Sequence, residues 1–170
     1  PSRQPTQVQL SLFFPCQIPF YNDISKAAEL DGWLSLRHEI PSSNLNELYI
    51  RESYKTIASS IQPGINKAII TGTPGIGKSL FMIYLLWKLV NEGKRVLLIY
   101  HPHTIYYDGK GNVFHCHEGS LPSSNELSFW SSDLWCLFDA KENVPSDLGR
   151  FPYEYCTFVL STSPRREIVN

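Results

Sequence analysis

The sequence predicts an α/β fold, a parallel sheet with helices on both faces. Three observations predict it. Short apolar runs alternate with helical segments, as they do where crossover helices cover a sheet. One run leads through a glycine-rich stretch into a long apolar helix, Leu80 to Val90. Another ends on Asp139, which the pattern places at the C-terminal edge of the strands, where sheets of this kind bind ligands.

The length of 170 residues suits one domain with a buried core. Residues 1–19 carry Pro1, Pro5, Pro15 and Pro19 and read as extended chain. Tyr21 to Leu36 reads as a helix ending near Gly32, and Pro41-Ser42-Ser43-Asn44 as a turn. Residues 1–47 are therefore assigned as an extension whose helix packs on the core, and 48–170 as the core itself. Leu48, Ile50, Tyr54, Ile57, Ala58 and Ile61 recur near helical spacing, and Pro63-Gly64 stops that helix. Lys67 to Thr71 is a strand that reads as buried. Lys94 to Tyr100 is a second strand, after a helix stop at Asn91 and Gly93. Ile105-Tyr106-Tyr107 and Asn112 to His115 flank Asp108-Gly109-Lys110-Gly111, which predicts a β-hairpin inserted after the second core strand. Residues 119–132 are polar and helix- or loop-like. Leu134 to Asp139 and Tyr155 to Ser161 are the third and fourth core strands. The helix from Leu80 is apolar on nearly every side, which predicts burial between the sheet and another layer, such as the 48–61 helix.

The chemistry concentrates at Gly72-Thr73-Pro74-Gly75-Ile76-Gly77-Lys78-Ser79, which matches G-x-x-x-x-G-K-[ST] between a strand and a helix. Glycine permits the backbone angles that turn successive N–H groups inward onto a phosphate, and the helix N-terminus adds free N–H groups and a positive dipole end. Residues Gly72 through Leu80 are thus the predicted nucleotide-binding stretch of a P-loop NTPase. Lys78 is assigned to the β- and γ-phosphates and Ser79 to Mg²⁺. Asp139 is the predicted second metal contact, where an acidic strand end holds the cation of such sites; the plainer reading is a loop aspartate after a core strand. The residue after it is Ala140, where many ATPases carry a glutamate that activates water, and Glu142 stands two residues further on. A missing general base costs a factor of about 10²–10⁴, so binding is better supported than fast hydrolysis. Ser161 or Thr162, at the tip of the fourth strand, is the predicted γ-phosphate sensor. Arg165 is either a charge-stabilising contact or part of a solvated basic turn with Arg166.

Other features narrow the classes. A net charge of −1 gives no whole-chain case for nucleic acid or membrane, and no apolar run is long enough to cross a bilayer. The first residue is Pro1, not Met, which reads as a piece of a longer protein, and no targeting segment is visible in it. Cys16, Cys116, Cys136 and Cys156 are widely spaced and read as buried reduced thiols. His101, His103, His115 and His117, with Cys116, form either a polar hairpin face or a zinc site, although neither H-x-H pair has finger spacing. Trp33, Tyr49 and Tyr54 are read as core or as a border for the nucleotide base.

Four segments carry a family resemblance: Leu48-Tyr49-Ile50-Arg51-Glu52-Ser53-Tyr54-Lys55, Thr71 to Ser79, Leu134 to Asp139, and Leu160-Ser161-Thr162-Ser163-Pro164. In order and separation they resemble the NTPase module shared by Crinkler effectors of oomycetes and fungi and the retrotransposon hot spot proteins of trypanosomes, over roughly residues 20–170. The resemblance implies an AAA-like or STAND-like ATPase using ATP, or another NTP, and Mg²⁺. It implies coupling to a C-terminal nuclease-like domain, in a protein secreted and carried to a host nucleus. Against that pattern the chain lacks the secretion header and the nuclease-like part. It also stops after its fourth strand, short of a fifth strand and the helical lid. Slow hydrolysis, or hydrolysis completed by missing segments or a neighbouring subunit, is the expectation. The alternative is a non-hydrolysing, nucleotide-dependent switch that contacts a host protein or nucleic acid. Direct DNA binding fits the near-neutral charge poorly.

Overall fold

A computed structural model describes residues 12–64, 67–71, 77–117, 120–140, 152 and 154–162. In chain order its strands are β1 (Phe13–Pro15), β2 (Ala28–Leu30), β3 (Trp33–Ser35), β4 (Glu47–Tyr49), β5 (Ala68–Thr71), β6 (Arg95–Tyr100), β7 (His103–Tyr107), β8 (Val113–Cys116), β9 (Leu134–Ala140) and β10 (Thr157–Thr162). The helices are α1 (Pro19–Asn22), α2 (Glu52–Ser60) and α3 (Lys78–Asn91), with a 3₁₀ turn at Ile24–Lys26.

Seven strands form one sheet in the order β1-β8-β7-β6-β9-β10-β5. The run β6-β9-β10-β5 is parallel, and β7, β8 and β1 extend it antiparallel, so the sheet is mixed rather than purely parallel. The predicted hairpin is β7–β8, and it continues the sheet directly from β6. The strand from Ala68 was expected to be buried. It lies instead at the sheet edge, with Ile69 half-exposed.

Alternation along the strands divides the core into two layers. Val96, Leu98, Leu137 and Val159 meet α3, α2 and the N-terminal segment. Both sides of α3 are thereby covered, which is why Phe81, Met82, Ile83, Tyr84, Leu85, Leu86 and Leu89 are all buried on one helix. Leu97, Cys136, Phe138, Phe158 and Leu160 face the other way, onto Phe129 and Trp130. Among the described residues α2 and α3 pack on the first face and no helix covers the second, in contrast to the helices expected on both. Residues 120–132 serve as its cover. Trp130 Nε1 donates to the Pro122 and Ser123 carbonyls at 3.2 and 3.0 Å, and the Arg95 guanidinium donates to the Phe129 carbonyl at 2.8 Å. These bonds hold an aromatic pair on the sheet with no helical periodicity in the sequence.

The helix expected over residues 21–36 is not formed. Its residues divide into α1, the 3₁₀ turn and the β2–β3 hairpin, turned at Asp31 and Gly32, both with positive φ. β4 joins them as a three-stranded antiparallel sheet. Leu34 and Leu48 pair across it and point into the core, while Trp33 and Tyr49 pair on the outer side. A period of two therefore governs these residues, and their apolar content misleads a reading that assumes a period of 3.6. The helix expected from Leu48 begins four residues later, because Glu47–Tyr49 is claimed by that sheet.

Candidate functional site

Lys78 and Ser79 open α3, and Asp139 stands one residue from the end of β9. Although 60 positions apart in the chain, the Ser79 hydroxyl donates to Asp139 Oδ2 at 2.9 Å. The buried Asp139 carboxylate shares its sheet face with Leu137, the face on which α3 packs, so the fold itself brings the two side chains together.

Between β5 and β9 lies β10. Ser161 stands opposite Ile70 on one side and Asp139 on the other. It is 1% exposed, and its Oγ is buried with no hydrogen-bond partner among the described residues. By alternation from Val159 it points to the same side as Asp139 and Ser79. Thr162 pairs with Ala140 and by the same alternation points to the opposite side, where Ala140 is buried against Phe138 and Leu160. Of the two sensor candidates, only Ser161 shares the side of Asp139.

Gly77, just before α3, has φ 86, a left-handed conformation that glycine adopts without strain. Its carbonyl accepts the Phe81 amide and the Tyr54 hydroxyl, both at 2.9 Å. Tyr54 is 4% exposed and packs on Phe81 and Tyr84, which places it in the core beneath the loop end. Trp33 and Tyr49 form an exposed edge-to-face pair, at 5.4 Å between centroids, on the small sheet.

Two residues near the site carried no assignment in the sequence. Arg51 ends the segment leading into α2, and its guanidinium carbon would lie 3.7 Å from a Cβ placed on Gly77. Tyr100 stands opposite Asp139 on β6; burial first, and then the Asp139 carboxylate, push its hydroxyl up to about 12, so it remains a donor at neutral pH. The sequence signal for Arg51 was its place in one of the four resemblance segments, and for Tyr100 only its position at the end of a core strand.

Gly72, Thr73, Pro74, Gly75 and Ile76, together with Arg165 and Glu142, lie outside the described residues. Leu80 is partly buried against the main core, as an α3 residue. His103 Nδ1 lies 3.2 Å from the Tyr21 hydroxyl and its ring 6.0 Å from that of His115. Among the described residues no three His, Cys, Asp or Glu side chains stand together as a metal site. Four cysteines are buried free thiols, as expected. Among the described residues no helix is long and apolar enough to cross a membrane.

The donors gathered here are a hydroxyl, a carboxylate and a second hydroxyl that has no partner among the described residues. That set suits a hard, oxygen-preferring cation that keeps most of its shell from water and phosphate, as Mg²⁺ does.

Crinkler effector protein 15 of Phytophthora infestans is 37% identical to this chain over 173 aligned residues, 99% of the chain and 27% of that relative. This chain is a relative of the Crinkler effectors. Crinkler effector protein 16 of the same organism is also 37% identical, over 170 residues, 97% of the chain and 27% of the relative. The Crinkler-related chain thus spans about a quarter of the length of the curated relatives it matches. No family model and no solved structure matches it.

Proposed function

We propose that this chain is the nucleotide-binding module of a secreted Crinkler-type effector, with a P-loop NTPase fold that takes ATP, or another NTP, with Mg²⁺. The observation that carries the reading is the 2.9 Å bond from the Ser79 hydroxyl to Asp139, at the junction of a G-x-x-x-x-G-K-S motif with its helix. When bound, the cation would screen phosphate charge and fix the phosphate geometry. Lys78 and the amides at the start of α3 supply positive charge and donors to the phosphates. The Ser79 and Asp139 oxygens are the protein's share of the metal shell. Ser161, orphaned in a buried position beside Asp139, is the group that a terminal phosphate oxygen would satisfy. Thr162, turned to the opposite side, is left without a role in this site; Arg165 is proposed, as from the sequence, as a contact that stabilises charge on the transferring phosphoryl group.

Turnover is proposed to be slow. The residue after Asp139 is Ala140, 5% exposed and packed in the second core layer, so no carboxylate at that position can hold a water. That same observation supports a second reading, a nucleotide-dependent switch whose bound state presents a surface to a host nuclear protein or nucleic acid, or to a second copy of the chain. Calorimetric titration with Mg·ATP, paired with phosphate-release assays on wild type, Lys78→Ala and Asp139→Ala, tests both. Binding lost in Lys78→Ala, with phosphate release above that variant's background, supports the enzyme; binding with no such release supports the switch. Wild-type protein that binds no nucleotide refutes the proposal.

A further inference from the structure

Resting on the nucleotide reading, we propose that Arg51 is a second cationic contact for the phosphate chain of a nucleoside triphosphate, seated at the loop by Tyr54. Along Glu47 to Arg51 the exposed and buried positions alternate. Leu48 and Ile50 enter the core, and Glu47, Tyr49 and Arg51 face out. The extended backbone at Arg51, φ −72 and ψ 149, carries that alternation up to the start of α2. The outward side chain then reaches Gly77: a Cβ there would meet the Arg51 Cζ and Nη2 at 3.7 Å. Tyr54, three residues on, lies beneath it, with the guanidinium carbon 5.9 Å from the ring centroid. Because Tyr54 also bonds the Gly77 carbonyl and packs on Phe81 and Tyr84, arginine and loop end share one rigid support.

The placement is unfavourable on local grounds. Arg51 occupies the N-cap of α2, where Ser, Thr, Asp or Asn would serve the helix, and it makes no side-chain capping bond. A cation there opposes the positive end of the α2 dipole. Its reach to Gly77 brings it to the positive end of α3 as well, next to Lys78. An anion placed among these groups is attracted by Arg51, by Lys78 and by both helix N-termini together. Such breaks with local preference are characteristic of functional sites. Arginine suits the task because its planar fork bonds two phosphate oxygens at once. The buried, unpartnered Ser161 hydroxyl independently marks the same end of the sheet as a place for a polar ligand.

Titration of the chain with Mg·ATP and with Mg·pyrophosphate, for wild type, Arg51→Ala, Arg51→Lys and Lys78→Ala, tests the assignment. Removing one charge-assisted contact is expected to weaken binding of both ligands about tenfold or more. Arg51→Lys recovers only part, and affinity falls less steeply with salt in Arg51→Ala. The rise in melting temperature that Mg·pyrophosphate gives is smaller in Arg51→Ala than in wild type, a readout that a purely structural arginine would not move. If wild type binds, Lys78→Ala does not, and Arg51→Ala binds within about twofold of wild type, the Arg51 assignment is overturned and the nucleotide reading stands. If wild type binds neither ligand, both fall.

Discussion

The Ser161→Ala variant separates a site residue from a core residue with unusual directness. A buried hydroxyl without a partner costs the folded protein about 1–3 kcal/mol of lost hydration. Ser161 meets that description among the described residues: it is 1% exposed, its Oγ has no hydrogen bond to any of them, and both neighbouring strands hold its backbone in register. Alanine keeps the Cβ and removes only the orphaned oxygen, so the ligand-free chain should gain about 1–2 kcal/mol. For a domain of this size that is a rise of about 2–8 °C in Tm. With Mg·ATP the sign reverses. A hydroxyl donating to a phosphate oxygen is worth about 1.5–3 kcal/mol, so its loss should weaken binding by roughly ten- to hundredfold. At a nucleotide concentration near 100 times the wild-type Kd, wild type gains about 2.7 kcal/mol from the ligand, and Ser161→Ala should gain much less. Differential scanning fluorimetry with and without Mg·ATP, backed by urea titration, reads both halves. A ligand-free Ser161→Ala protein that melts below wild type would refute the reasoning, because the hydroxyl would then be contributing to the fold.

Two further outcomes follow from the same geometry. Gly77→Ala should destabilise the chain by about 1–3 kcal/mol and abolish nucleotide binding, since a Cβ there lies 2.5 Å from the Tyr54 hydroxyl on a backbone with φ 86; urea unfolding and titration calorimetry measure the two effects. Acidification should also weaken the fold. Burial first, and then neighbouring imidazoles, hold His103 and His115 below the ordinary imidazole range, so the unfolded chain binds protons more readily and stability falls as pH drops through about 6.5 and below. A His103→Asn variant should show a shallower loss between pH 7.5 and 5 in the same urea experiment, and an unchanged slope would count against the assignment.

The elements that the sequence announces are those whose signal is local. The strand that carries Asp139 near its end, the β7–β8 hairpin and the two-sided burial of α3 each rest on a short pattern whose physics is contained in the pattern. Where burial comes from distant partners, the reading fails. The Tyr21–Leu36 segment forms a hairpin because Leu34 meets Leu48 across a sheet, and no spacing within the segment records that partner. The second sheet face is covered by Phe129 and Trp130, pinned by Arg95 from another strand, and polar composition around them conceals their role.

What the sequence by itself determined is the set of groups present: a G-x-x-x-x-G-K-S motif, a hydroxyl and an acid, and no carboxylate beside that acid. Only the tertiary structure decided which of these groups meet. The insertion of β10 between β5 and β9 sets Ser161 beside Asp139, the alternation of that strand turns Thr162 away, and the three-stranded sheet delivers Arg51 to Gly77. The physical reason is that a motif specifies local backbone and functional groups, whereas proximity across 60 residues of chain is set by strand order and by which side of a sheet a residue faces.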